Sequence, residues 1–282
     1  MGEQQMMRWN GEDGRRWASA ADRRDEMLGP FLPPLLEAAA AVPGESVLDI
    51  GCGCGVTSFA AAAAVGATGR VVGADLSEPM LAVAAERATG SDLPLEFVRT
   101  DVATHTFDEA AFDVAISRFG VMFFDEPTAA FANIARAVKP GGRLAMAVWQ
   151  PIADNEWLTV VRDAVLGSVE AVPDQPEGND PFVFGDTEWL ASMLTDSGWC
   201  DVACTGVTSS LHYGGPGTVA DAVDMAVTSG VGKVVLGDAD DATTARAREA
   251  LAAAFAPRHD GTGVALDAAV WIVTARRAPA RT

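Results

Sequence analysis

Lysine is almost missing from this chain. Lys139 and Lys233 are the only two among 20 basic residues, against 39 acidic ones, which leaves a formal charge of −19 over 282 residues. A surface so acidic repels a phosphate backbone and an anionic bilayer, so neither nucleic acid nor membrane is an expected partner. Arg15-Arg16 and Arg23-Arg24 are interleaved with acids and read as a solvated helix face, not as a basic groove. Cysteine is scarce too, with four residues at 52, 54, 200 and 204. Cys52-x-Cys54 is too tight for a zinc knuckle, and Cys200 and Cys204 share a strand face with no histidine beside them, so no metal site is expected. With no disulfide framework and a polar N-terminal Met-Gly-Glu-Gln-Gln that has no apolar secretory core, the chain reads as a reduced, cytoplasmic protein. The longest apolar stretch, about nine residues over 59–67, falls well short of the roughly 20 that cross a bilayer. Histidine and tyrosine are few as well. His105, His212, His259 and Tyr213 make up the whole supply, which limits the candidates for a neutral-pH base.

What is present is a globular composition, 49% hydrophobic and 21% charged, enough for one large domain or two modest ones. The stretch that organises it is 47–55, Val-Leu-Asp-Ile-Gly-Cys-Gly-Cys-Gly. Residues 47–50 read as a buried parallel strand broken only by Asp49. Gly51, Gly53 and Gly55 follow at every second position, and an alanine-rich helix begins at Val56. Missing Cβ atoms leave the backbone bare beside the free N–H groups of a helix N-terminus, which makes a cradle for a small-molecule cofactor. A dinucleotide fingerprint would be G-x-G-x-x-G, and Val56 stands where its third glycine belongs. Asp49 would repel a pyrophosphate but suits an amino group. Asp75, ending the next strand at 70–75, lies about where a ribose-binding acid is expected. An amino acid joined to a nucleoside without phosphates satisfies both acids, and S-adenosylmethionine (SAM) is that ligand.

These residues also carry a resemblance. With Gly-Ala-Asp-Leu-Ser-Glu-Pro-Met-Leu at 73–81 and Val-Lys-Pro-Gly-Gly-Arg-Leu at 138–144, the stretch resembles the class I SAM-dependent methyltransferases. The branch it is most similar to is that of the ubiquinone/menaquinone C-methyltransferases. The resemblance covers 45–150 well, is looser for 9–30 and the last strand, and is weak over 151–262. It implies a cofactor set of Asp49, Gly51, Cys52 and Gly53 from the first strand and its loop. Asp75, Leu76 and Met80 follow from the second strand end, Asp101 and Val102 from the third, and Ser117 from the fourth. Asp101 stands at the family position that accepts the adenine amino group. The leader folds over the cofactor in that family, which makes Trp17 a wall of the SAM pocket; by itself Trp17 reads as a core anchor.

The chain is otherwise an alternation of helices and strands. A helix is expected over 9–28 and a second over 33–42. Strands are expected at 95–99, 112–117 and 143–149, with helices after Ser77, which is a good N-cap, and over 129–138. Five strands alternating with helices argue a doubly wound, parallel sheet with right-handed crossovers. Residues 151–185 are rich in Pro, Asp and Gly and include a helix at 156–166. Further helices are expected at 186–197, from Thr218 and over 241–255, with strands at 200–211 and 269–275. Family topology implies a seven-stranded, mostly parallel, Rossmann-like sheet whose last strand runs antiparallel between its neighbours. The chain then reads as a single domain, 1–282. An N-terminal helical lid spans 1–45, a SAM-binding core spans 46–150, and the substrate-side half, 151–282, has a helical cap at about 214–258 inserted before the last strand.

The expected reaction is methyl transfer from SAM to a small apolar or aromatic metabolite, on O, N or C, leaving S-adenosylhomocysteine (SAH). The Asn/Asp-Pro-Pro-Tyr motif of nucleobase amino methyltransferases is absent after the fourth strand. The Val-Met-Phe-Phe run there, 121–124, reads as helix packing more than as substrate wall. His212, beside Tyr213 at the end of the long strand, is the candidate general base. Two rivals stay open: a SAM- or SAH-binding scaffold or cyclase that does not methylate, and a nicotinamide-dependent oxidoreductase. Oligomeric state is open, with a homodimer as one option.

Overall fold

The computed structural model describes residues 3–169 and 180–279. Part of the Pro-, Asp- and Gly-rich stretch 151–185, namely 170–179, lies outside them. Seven strands make one sheet: β1 (Ser46–Ile50), β2 (Arg70–Asp75), β3 (Leu95–Arg99), β4 (Phe112–Arg118), β5 (Val138–Trp149), β6 (Trp199–His212) and β7 (Ala265–Arg277). Their order is β3-β2-β1-β4-β5-β7-β6. The first five pair in parallel, and β7 runs antiparallel to both β5 and β6, as the family topology implies. The chain winds outward from β1 to β3, then returns to place β4 on the other side of β1. That reversal opens a crevice at the carboxyl ends of β1 and β4, where ligands of doubly wound sheets bind. β1 is covered on both faces, with Val47, Leu48, Asp49 and Ile50 each at most 1% exposed, which accounts for its unbroken apolar character around one acid.

Four short helices precede the sheet: α1 (Glu3–Asn10), α2 (Glu12–Ser19), α3 (Ala21–Met27) and α4 (Leu32–Ala39). The single helix expected over 9–28 is therefore broken, at Gly11 and at Ala20. Glycine at 11 and 14 weakens the helix, and tertiary contacts favour the break. At Gly14 an added Cβ would stand 2.8 Å from the Ser77 hydroxyl, which donates to the Trp9 carbonyl over 2.7 Å. The leader is thereby fastened to the start of α6 (Glu78–Ala88), which follows α5 (Val56–Val65). Asn10 adds two bonds there, donating to the Leu76 carbonyl and accepting from the Glu78 N–H.

The remaining helices are α7 (Pro127–Ala137), α8 (Glu156–Leu166), α9 (Thr187–Asp196), α10 (Val219–Thr228), α11 (Gly230–Leu236) and α12 (Asp241–Phe255). Their N-termini follow their caps. Asp186 accepts from two N–H groups of α9, Thr218 and Asp221 form a capping box on α10, and Asp240 caps α12. α11 was not legible in the sequence. It has seven residues, begins Gly-Val-Gly, and exists because Gly232 lets it close onto the Ala226 carbonyl. β5 begins at Val138, not 143. Its ladder breaks between Phe112 and Val114 of the partner strand, so the Pro140-Gly141-Gly142 kink is accommodated within the strand. β7 outruns its apolar core of 269–275 because it pairs with β6 as far as His212↔Ala265. α10, α11 and α12 lie between β6 and β7 in the chain; α10 packs on α11 and α12, and those two pack on α8. No described helix is long and apolar enough to cross a membrane.

Candidate active site

The site is built from the loop after β1. Gly51, Gly53 and Gly55 have φ of 64°, 55° and 90°, a region that costs other residues strain. At Gly51 there is also no room: a Cβ would lie 2.6 Å from the Gly120 Cα, because the loops after β1 and β4 touch there. Gly53 is different. Its Cβ would meet only the Met80 sulfur, at 3.8 Å, and would project into open space. The Gly53 N–H donates to Asp75 Oδ2 and the Ser77 N–H to Asp75 Oδ1, each over 2.8 Å. Burial raises the Asp75 pKa against those two backbone bonds. Each carboxylate oxygen retains a lone pair for a further donor.

Asp49 sits fully buried under the loop. Its Oδ2 accepts from the Ser58 hydroxyl over 2.5 Å, and Gly73 opposite has no Cβ that would collide with that hydroxyl. Asp49 Oδ1 is buried with no hydrogen-bond partner among the described residues. Burial pushes this carboxyl up to about 7, opposed by the Ser58 bond and the charge of Arg118. An orphaned carboxylate oxygen in a dry site calls for a cationic donor.

A cavity of about 350 Å³ opens over these residues, within the range of small-molecule sites. Gly51, Cys52 and Gly53 form its floor, with Asp75, Leu76 and Met80 beside them. Trp17 and Val102 also line it. Four expected site residues do not. Asp49 lies beneath the floor. Ser117 donates to the Ile50 carbonyl over 2.8 Å and accepts from the Gly120 N–H over 3.2 Å, tying β4 to β1. Asp101 accepts from the Ala103 N–H, while Thr100 and Val102 on either side reach the cavity. His212 is turned away: its Nε2 lies 2.8 Å from Asp260, and it is the next residue, Tyr213, that lines the cavity. His105 and His259 are likewise absent from the cavity wall.

Comparison with known proteins decides what this cradle belongs to. Residues 47–142 match a methyltransferase-domain family. Two relatives span most of their own length on this chain. The demethylmenaquinone methyltransferase of Clavibacter sepedonicus is 32% identical over 70% of this chain and 86% of its own. That of Renibacterium salmoninarum is 30% identical over 63% and 76%. The chain belongs to the class I SAM-dependent methyltransferases. The YcgJ protein of Bacillus subtilis shares the fold, with a TM-score of 0.54 at 19% identity over 89% of this chain and 98% of that one. SAM is thus the methyl donor, and the residues present fit it, since Gly53 leaves bare backbone and Asp49 Oδ1 lacks a donor. Among the described residues no group of His, Cys, Asp or Glu is placed to hold a metal ion.

The methyltransferase carries further cavity residues that sequence reasoning missed. Arg15 and Arg23 are exposed, but Arg16 and Arg24 are half-buried and face the cavity, so the reading of all four as a solvated face is corrected. One residue of each pair turns inward because successive residues of a helix point about 100° apart, so neighbours cannot share a face. Burial, with the charge of Arg16 added, lowers Arg24 to about 10. Arg118 is held by Asp25 over 3.1 Å, and Arg87 links the same Asp25 to the Cys54 carbonyl. Of the apolar run after β4, Met122, Phe123 and Phe124 line the cavity, and Phe123 meets Trp9 edge-on at 5.1 Å. Phe119 stacks on Trp149 at 4.3 Å with 21° between the rings, and Trp157 adjoins Trp149 at 5.1 Å. The signal for these lay in their position at strand ends, not in their residue type.

Proposed function

We propose that this methyltransferase moves the methyl group of SAM onto a small aromatic or apolar metabolite held against Phe119 and Trp149. The observation that carries this reading is the stacked Phe119–Trp149 pair inside the cavity that also contains the glycine loop. Phe119 has φ of 65°, a strained conformation for a non-glycine residue, fixed by its N–H bond to the Ala147 carbonyl. Such strain persists where the surroundings over-determine it, and often at functional positions. Leu158, Val161 and Met225 widen the apolar face. We take 1–45 as lid, 46–150 as cofactor core and 151–282 as the substrate-side half. Four free cysteines support a reducing compartment.

Asp75 would accept from the ribose hydroxyls and Asp49 would face the amino group, with Leu76, Met80 and Val102 around the base. Bound SAM supplies an electrophilic methyl on a sulfonium, so the chain's own work is to align the acceptor and exclude water. The described cavity wall contains no histidine. Tyr213 there is pushed up to about 12 by burial and is a neutral phenol near pH 7. Asp25 is tied to Arg87 and Arg118. Catalysis by positioning follows, with an acceptor that is nucleophilic without a histidine base.

Incubation with methyl-labelled SAM and a panel of phenols, quinols and apolar alcohols, set beside hydrophilic amines, tests this. Label in the aromatic or apolar acceptors is expected; label confined to the hydrophilic amines would contradict it.

A further inference from the structure

The arginines facing the cavity are not equivalent. Arg8 and Arg16 both bond to Asp13, over 2.9 and 2.8 Å, and Arg118 bonds to Asp25. Arg24 alone among them makes no ion pair among the described residues, and its Nε, like that of Arg16, is buried without an acceptor. Its guanidinium carbon lies 3.9 Å from the centre of the Trp17 ring. Stacking occupies a face of the guanidinium and leaves its N–H edge available. Around it the cavity is mostly apolar, and the neutral Tyr213 phenol lines the same wall. A half-buried charge without a partner is costly, and a forked N–H edge matches a carboxylate.

We propose that Arg24, oriented by Trp17, is the carboxylate-binding residue of this cavity. The inference rests on the cavity being the transfer site and names what its cationic wall recognises. Two sources carry that group: the amino-acid end of SAM, and a carboxylate on the acceptor itself.

Arg24→Met keeps an unbranched stem against Trp17 and removes the charge. Since Arg24 has no polar partner to lose, the ligand-free variant should melt at or above the wild-type temperature. Calorimetry then compares SAH, 5′-methylthioadenosine, which lacks the amino-acid end, and benzoate added to the SAH-saturated protein. If the cofactor supplies the carboxylate, SAH affinity falls roughly 10- to 100-fold in the variant while 5′-methylthioadenosine binds as before. If the acceptor supplies it, SAH affinity holds and the benzoate binding seen with wild type disappears. Arg24→Lys should recover part of either loss. Unchanged binding of both SAH and benzoate overturns the proposal, as does an equal loss of SAH and 5′-methylthioadenosine. Failure of wild type to bind 5′-methylthioadenosine would instead overturn the reading of the cavity.

Discussion

The Gly53 N–H and Asp75 Oδ2, 2.8 Å apart, make the loop after β1 and the acid at the end of β2 one unit. The same carboxylate takes the Ser77 N–H on its other oxygen, so the start of α6 is fixed by it as well. Asp75 is therefore part of the scaffold as well as the proposed ribose acceptor. Its replacement should affect both roles, and the two can be separated.

Asp75→Asn keeps one strong acceptor for the backbone, whereas Asp75→Ala keeps none. SAM affinity should fall roughly 10- to 100-fold in Asp75→Ala, as charge-assisted bonds to the ribose are lost. Calorimetry on the folded variant is the check. Wild-type affinity would remove Asp75 from the cofactor site.

Gly51 and Gly53 should respond differently to alanine. Gly51→Ala drives a methyl into the Gly120 backbone, so the ligand-free protein itself should lose stability. Gly53→Ala meets nothing closer than the Met80 sulfur, and its φ of 55° costs about 1 kcal/mol. That variant should fold, yet show little rise in melting temperature with SAM. A wild-type rise would mean the backbone there does not face the cofactor.

Asp49 predicts a pH dependence. Its folded pKa is raised from 3.8 to about 7, so between those values the unfolded chain has lost a proton that the folded one keeps. Ligand-free stability should accordingly fall as pH rises through that window, and this contribution should be flat above it. A cofactor ammonium opposite Asp49 reverses the preference. SAM should then bind more tightly from pH 6 to 8 and release a proton, seen as a buffer-dependent heat. Asp49→Asn should abolish both effects; a pH-independent affinity in wild type would remove Asp49 from the amino-group role.

The two neighbours at the end of β6 should part company. His212→Ala should keep turnover within about threefold of wild type, because its partly exposed pair with Asp260 contributes little. Tyr213→Phe removes a hydroxyl from the cavity wall and should raise the acceptor KM. A large fall in turnover for His212→Ala would restore it as the base.

What the sequence made legible follows from how local each signal is. The cradle was readable because positive φ and close approach permit little besides glycine, and both constraints fall within nine consecutive residues, 47–55. The reversed last strand came through family topology. His212 was chosen over Tyr213 on chemistry alone, and strand alternation turned it outward. Arg24 and Arg16 looked like surface because the cavity they line is closed by Tyr213 and the cap residue Met225, about 200 positions away in the chain. The aromatic wall joins the ends of β4 and β5 with α8, a juxtaposition no short stretch encodes.

A single cavity is proposed to hold SAM on the glycine loop and the acceptor on Phe119 and Trp149. Trp149→Ala separates the two halves. The decisive measurement is the rate of methyl transfer from labelled SAM to the best aromatic acceptor, with SAH affinity determined on the same preparation. With that placement, kcat/KM for the acceptor should fall by at least about tenfold, the loss of a large buried aromatic contact, while SAH affinity stays at the wild-type value. Unchanged kcat/KM in Trp149→Ala would contradict it.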